Sequence, residues 1–217
     1  FPCMSGGRVG QGRVYVQLGE QAELDFAEWC KGMAEGRSYV SDGYAHALDF
    51  SVDGIRPGFG EVSLVEPGTV SISAQVSFAP QTPQSVAQGN LDHPSGKRVL
   101  GDTVTFHGPP PDGFEEGGLR TIEIVVNGEV STAKVVPADG AVHELEFNVP
   151  VSQSSWVALR HFPQLHTNPV NIIVGNKSIR ASKKSALWCI ETIEQLWRAR
   201  QDKIADHEKK EARAAFD

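Results

Sequence analysis

RTIEIVVNGEVSTAKVV (120–136) decides the fold class. Two runs rich in β-branched residues flank Asn127-Gly128. A type I′ turn needs positive φ at both central residues, and Asn-Gly meets that demand. The stretch therefore predicts a hairpin with strands over 120–127 and 129–136. Upstream, Val70, Ile72, Ala74, Val76 and Phe78 alternate with polar residues, and downstream so do Leu145, Phe147 and Val149. A period of two with one apolar face is the pattern of a half-buried strand. Further strands are expected over 13–18, 46–52, 61–65, 103–107, 142–149, 155–160, 170–174 and 177–180. Many short strands at this spacing point to a mainly β fold, an antiparallel, Ig-like β-sandwich.

Two segments read as helices. Over 22–35, Phe26, Trp29, Cys30 and Met33 form one apolar stripe, and Gly36 suits the left-handed residue that closes a last turn. Over 183–215, Ala186, Ile190, Ile193, Trp197 and Ile204 make a narrow seam behind a Ser182 cap. A continuous helix there would reach roughly 50 Å. Its charged end offers the pairs Glu194–Arg198 and Asp206–Lys210 at i, i+4. The expected layout is a strand, helix and exit segment over 1–43, a sandwich over 44–182, and a long C-terminal helix over 183–217. A Pro- and Gly-rich excursion over 79–119 carries His93 and His107.

Composition narrows the function. The 217 residues carry a formal charge of −7, which argues against a nucleic-acid partner, since such a partner calls for a basic face. No run approaches the ~18 apolar residues of a membrane helix. Three cysteines are too few for a disulfide framework. The compartment stays open for what reads as a soluble chain, export of a full-length protein included. The chain opens FPCMSGG, with neither an initiator Met nor a leader pattern, and reads as a fragment or processed product.

The densest polar cluster lies in SSWVALRHFPQLHTNPVNIIVGNKSIRAS (154–182). Arg160, His161, His166, Thr167 and Asn168 fall between two apolar runs. Arg160 could hold an anion through parallel hydrogen bonds. His166 could exchange a proton near neutral pH. Asn168 precedes Pro169, which biases it to an extended backbone. Arg37, Asp42 and His46 form a second group. These six are substrate-binding candidates; the alternative is a polar knot that satisfies backbone groups in a turn. No nucleophile elbow and no His-x-His or His-Glu-x-x-His spacing occurs, so no catalytic or metal-binding residue is assigned.

Several stretches together resemble the carbaryl-hydrolase-like (CehA/McbA) branch of the polymerase-and-histidinol-phosphatase (PHP) superfamily. WCKGMAEGRSYVSDG (29–43) is similar to the segment after that family's catalytic barrel. IEIVVNGEV (122–130) resembles its sandwich. SSWVALRHFPQLHTNPVNIIV (154–174) and IRASKKSALWCIETIEQLW (179–197) resemble its C-terminal part. The resemblance implies the C-terminal region of a metal-dependent hydrolase of ester, carbamate or phosphoester bonds. A divalent metal, Zn or Mn, would sit in a PHP barrel upstream of Phe1, which would be this chain's partner beside a small-molecule substrate. The family's motifs carry over Arg37, Arg160, His166 and Asn168 only; Asp42 and His46 join them by proximity. Where the family often has Asn-Gly-Pro, this chain has Ser41-Asp42-Gly43-Tyr44. A free-standing binding module is the rival reading, and the 186–204 seam adds the option of an oligomer.

Overall fold

A computed structural model describes residues 12–20, 23–83, 114–162 and 164–216. It separates into two compact units, divided between Ile179 and Arg180. The first is a mostly antiparallel β-sandwich.

The smaller sheet holds the clearest alternation. Strand β5 (Gly68–Phe78) lies between β3 (Ala45–Val52) and β10 (Val142–Val151). Every apolar residue read as inward on β5 is buried, from Val70 to Phe78. Its register against β10 runs unbroken from Val142↔Ser77 to Val151↔Gly68. Leu145, Phe147 and Val149 therefore join the same core.

The larger sheet is forked at β11 (Ser155–His161). One edge of β11 pairs with β8 (Leu119–Val126), which pairs in turn with β9 (Glu129–Pro137). Asn127 and Gly128 both take positive φ, 53° and 94°, as the hairpin reading requires. The other edge of β11 meets two short strands in succession. Its end pairs with β12 (Leu165–Thr167), which leads to β2 (Ser38–Ser41) and β1 (Arg13–Val16). Its beginning pairs with β13 (Val170–Val174), which runs parallel to β4 (Glu61–Leu64). Asn168 and Pro169 lie between β12 and β13, and Pro169 has no N–H for a ladder. Ile122, Ile124, Val157, Leu159 and Ile172 from this sheet complete the core.

Lys134 helps to close one side of the sandwich. Its Nζ donates to the Glu146 carbonyl on β10 at 2.7 Å and lies 5.1 Å from the Phe147 ring centre. A lysine on a lone edge strand also discourages strand addition from outside.

Helix α1 (Phe26–Ala34) is shorter than expected. Asp25 caps it, and Gly36 at φ 80° ends it. The Arg37 N–H donates to the Gly32 carbonyl and the Gly36 N–H to Met33, the two bonds of a Schellman ending. The apolar stripe is only partly covered, with Trp29 and Cys30 half-buried. Phe26 is 77% exposed and Met33 43%. Gly32 is the buried residue of the helix, with the Val16 side chain against it. Proximity to β1, through the 37–41 segment, sets which face turns inward.

Strand β2 pairs with β12, so 38–41 belongs to the large sheet. Residues 177–180 form irregular chain after a turn at 175–176, rather than a strand. Ser154 Oγ donates to the Lys177 carbonyl and accepts from the Val174 N–H, which ends β13 there. A two-stranded ribbon, β6 (Gln81–Pro83) with β7 (Phe114–Glu116), stands at the ends of the 79–119 excursion. The strand expected over 103–107, with His93 and His107, lies outside the described residues, as do Cys3 and the glycines before position 12.

The second unit is helical. Helix α2 (Lys183–Arg200) is the long C-terminal helix, and Ser182 accepts from the Ser185 N–H as its cap. It stops at Arg200 rather than running to 215. A 3₁₀ turn (Gln201–Lys203) and an extended Ile204 follow, and α3 (Lys209–Ala214) comes next. Arg213 reaches Glu194 with two hydrogen bonds of 2.6 and 3.2 Å, and Phe216 meets Trp197 edge-on at 5.4 Å. These contacts cover the end of the apolar seam, which a straight helix would leave bare. Glu194 accordingly pairs with Arg213, and Asp206 pairs with Lys209 instead of Lys210.

Candidate functional site

The fork of the large sheet carries the polar stretch 160–168. Arg160 and His166 are cross-strand neighbours on β11 and β12. Register extends their row to Glu123 on β8 and to Val40 and Val14 on β2 and β1. The row lies on the face of the sheet away from the core. Arg160 Nε donates to Glu123 at 2.6 Å, and His166 Nδ1 donates to the Thr167 carbonyl at 2.6 Å. Arg160 therefore already holds a carboxylate from its own sheet.

Asn168 is a staple. Its N–H donates to the Ser38 carbonyl and its Nδ2 to Ser38 Oγ at 2.8 Å. This joins the end of β12 to the start of β2, beside Gly36. Arg37 stands next to Ser38, its guanidinium ion-paired with Glu35 and stacked 4.9 Å from the Phe59 ring centre. Among the described residues, its buried Nε finds no hydrogen-bond partner.

Asp42 lies at the opposite end of β2. One oxygen accepts from the Tyr44 N–H at 2.8 Å and the other from Gln164 Nε2 at 3.0 Å. Its work is to fix the 41–44 turn and tie it to the chain before β12. His46 belongs to an aromatic group. Its Nδ1 is 2.9 Å from the Tyr39 hydroxyl, its ring stands edge-on to Tyr15, and Tyr15 stacks on Tyr39. Burial, and then the neighbouring Tyr15, push the Tyr39 phenol up to about 12. The hydroxyl is thus a proton donor throughout the neutral range.

The six candidates therefore occupy separate places. Arg160 and His166 share the outer row. Arg37 and Asn168 meet at the start of β2. Asp42 and His46 each sit in other surroundings. Among the described residues, no group of three or more His, Cys, Asp or Glu could hold a metal ion. The candidates do not form a ligand set for the divalent metal that the resemblance implies. Among the described residues, no helix is long and apolar enough to cross a membrane.

Two features escaped the sequence reading. The first is a cleft of about 260 Å³ between β3 and the β1–β2–β12 end of the large sheet. Arg37 and Asp49 line it, with Tyr15, Tyr39, Leu48 and Phe50 among the walls. A β-bulge at Leu48 opens β3 there: Ala47 faces Val76 and Asp49 faces Gln75, which leaves Leu48 unmatched. The second is a buried polar group of Arg120, His161 and Gln164. Arg120 donates to Glu115 at 3.2 Å, and His161 Nδ1 donates to the Thr121 carbonyl at 2.8 Å. Alternation held a signal for this group. Arg120 is in phase with Ile122 and Ile124, and His161 with Val157 and Leu159, so both had to point inward.

A scan against protein-family models finds no family that matches this chain, and a search of curated proteins likewise finds no match.

Proposed function

We propose that this chain is an accessory β-sandwich, the C-terminal region of a metal-dependent hydrolase of ester, carbamate or phosphoester bonds. It helps to shape the mouth of an active site carried by a neighbouring PHP-type barrel and is not catalytic alone. The observation that supports this reading is the open apolar face of α1. Leu24 before the helix is 90% exposed, and Phe26, Met33, Val14 and Val40 are exposed with it. A helix that leaves part of its apolar stripe uncovered suits a second domain packed against it. The polar candidates, each already paired with a neighbour outside the set, suit a structural wall better than a reaction centre.

The test has two parts. The purified chain is assayed with Mn or Zn on aryl esters, carbamates and phosphoesters; no turnover is expected, and metal-dependent turnover at ordinary enzyme rates overturns the reading. The coding sequence upstream of Phe1 is then read. An open frame with His-x-His motifs is expected, and a stop codon in that frame overturns it.

A free-standing binding module is the second reading. The cleft at the β3 bulge favours it.

A further inference from the structure

The cleft at the β3 bulge brings two stacked tyrosines, a turned-out leucine and one charge of each sign together. It lies where the edge strand of the small sheet faces the β1–β2 end of the large one. Bulges commonly re-aim a side chain beside a site, and here Leu48 is turned out at the cleft, 53% exposed. Tyr15 and Tyr39 are held rigid by their mutual stacking, and Tyr39 is fixed further by His46. These walls are set before any ligand arrives, which lowers the entropy cost of binding.

The charges narrow the ligand class. One cation and one anion line the cleft, Arg37 and Asp49. Each is held by a counter-ion that is not part of the lining. Glu35 pairs with Arg37, and Arg56 grips both oxygens of Asp49 at 2.7 and 3.2 Å. The cleft is thus neutral as a whole but carries both signs on its wall. A simple anion would meet Asp49, and a simple cation would meet Arg37. A net-neutral molecule with separated charges meets neither penalty. The volume suits a ligand of roughly ten heavy atoms, below the usual drug-sized range.

We propose that this cleft binds a free α-amino acid with an aromatic or aliphatic side chain, its carboxylate toward Arg37, its ammonium toward Asp49, and its side chain against Tyr15, Tyr39, Leu48 and Phe50. The inference does not rest on the hydrolase reading, because its readout is binding and not turnover.

The experiment is a two-dimensional amide NMR titration of the full 217-residue chain. The probes are L-phenylalanine, hydrocinnamate (which lacks the ammonium) and phenethylamine (which lacks the carboxylate). Saturable shifts are expected at the amides of Tyr39, Leu48, Asp49 and Phe50 with phenylalanine. Each truncated probe should bind at least about tenfold more weakly, the scale of one lost charge-assisted hydrogen bond. Asp49→Asn should weaken phenylalanine by a similar factor and leave hydrocinnamate unweakened. Should Asp49→Asn unfold the chain by freeing Arg56, Leu48→Trp serves instead, since its indole fills the mouth and should abolish the shifts. Equal binding of all three probes, shifts that map elsewhere, or no saturation in the millimolar range overturns the proposal.

Discussion

Two Arg–His groups stand on opposite faces of β11, and they behave differently. On the outer face, Arg160 and His166 sit in a row with Glu123. Each has a hydrogen-bond partner and some access to water. On the inner face, Arg120 and His161 are buried beside Gln164, with Asp42 and Glu115 at the margin. Arg160 and His161 are adjacent in sequence and still belong to different groups, because successive strand residues point to opposite faces. The outer group resembles a site in sequence and is well satisfied in structure. Among the described residues, four buried atoms of the inner group find no partner: Nε and Nη2 of Arg120, Nε2 of His161 and Oε1 of Gln164. A buried polar atom without a partner costs about 1–3 kcal/mol, whereas an exposed pair contributes little. The inner group therefore concentrates the electrostatic risk of the fold.

The largest expected effect follows from leaving the buried cation alone. Glu115→Ala should cost about 3 kcal/mol, because the Arg120 guanidinium stays buried without its carboxylate. Urea unfolding measures it, and an unchanged midpoint would refute the claim. Arg120→Met sharpens the point. It removes the charge and keeps an apolar body of similar length, so it should cost much less than Glu115→Ala. If Arg120→Met proves the worse of the two, the guanidinium stabilises the core after all.

The next effect is a pH dependence. His161 is held below its ordinary value of 6.5, first by burial and then by Arg120, against the opposing Thr121 carbonyl. The unfolded chain takes up this proton more readily than the folded one. The contribution of neutral His161 is therefore fully present above about pH 6.5 and declines as the pH falls below it. Unfolding midpoints on the acid side should show that slope, and His161→Asn should reduce it. A variant with the parent's slope would mean that another group is responsible.

The smallest effect belongs to the outer row. Glu123→Ala removes the Arg160 partner, yet both side chains reach solvent, at 25% and 30% exposure. The expected loss is about 0.5 kcal/mol. A loss as large as that of Glu115→Ala would erase the distinction between the two faces.

Much of the sandwich was legible in the sequence. Val70 to Phe78 alternated without a break, and Asn127-Gly128 named its own turn. Those signals are local, since they depend on the two-residue period of a strand and on the φ that one turn type requires. Residues 38–41 read only as part of a short extended piece over 37–43, and 165–167 gave no strand signal. Each is a strand of only three or four residues, and each is a strand because the other is beside it. The stripe on α1 was visible, but the face that the helix turns inward was not. Nothing local says that Gly32, rather than Phe26, meets Val16. The long helix was recognised by its seam, whereas its end was set by Arg213 and Phe216 returning to Glu194 and Trp197. The candidate site divided in the same way. Its residue types were plain, but Arg37 and Asp42 stand at opposite ends of one short strand.

The sequence by itself determined the β class, the central hairpin, the inward faces of β5 and β10, the Gly36 ending of α1 and the Ser182 cap of α2. Each of these rests on spacing within a few residues. Tertiary structure alone decided the fork of the large sheet at Asn168-Pro169, the burial of Arg120 beside His161, and the cleft where the β3 bulge faces β1 and β2. Those features join residues tens of positions apart. Which of them meet depends on strand register and sheet packing, and no local period encodes either.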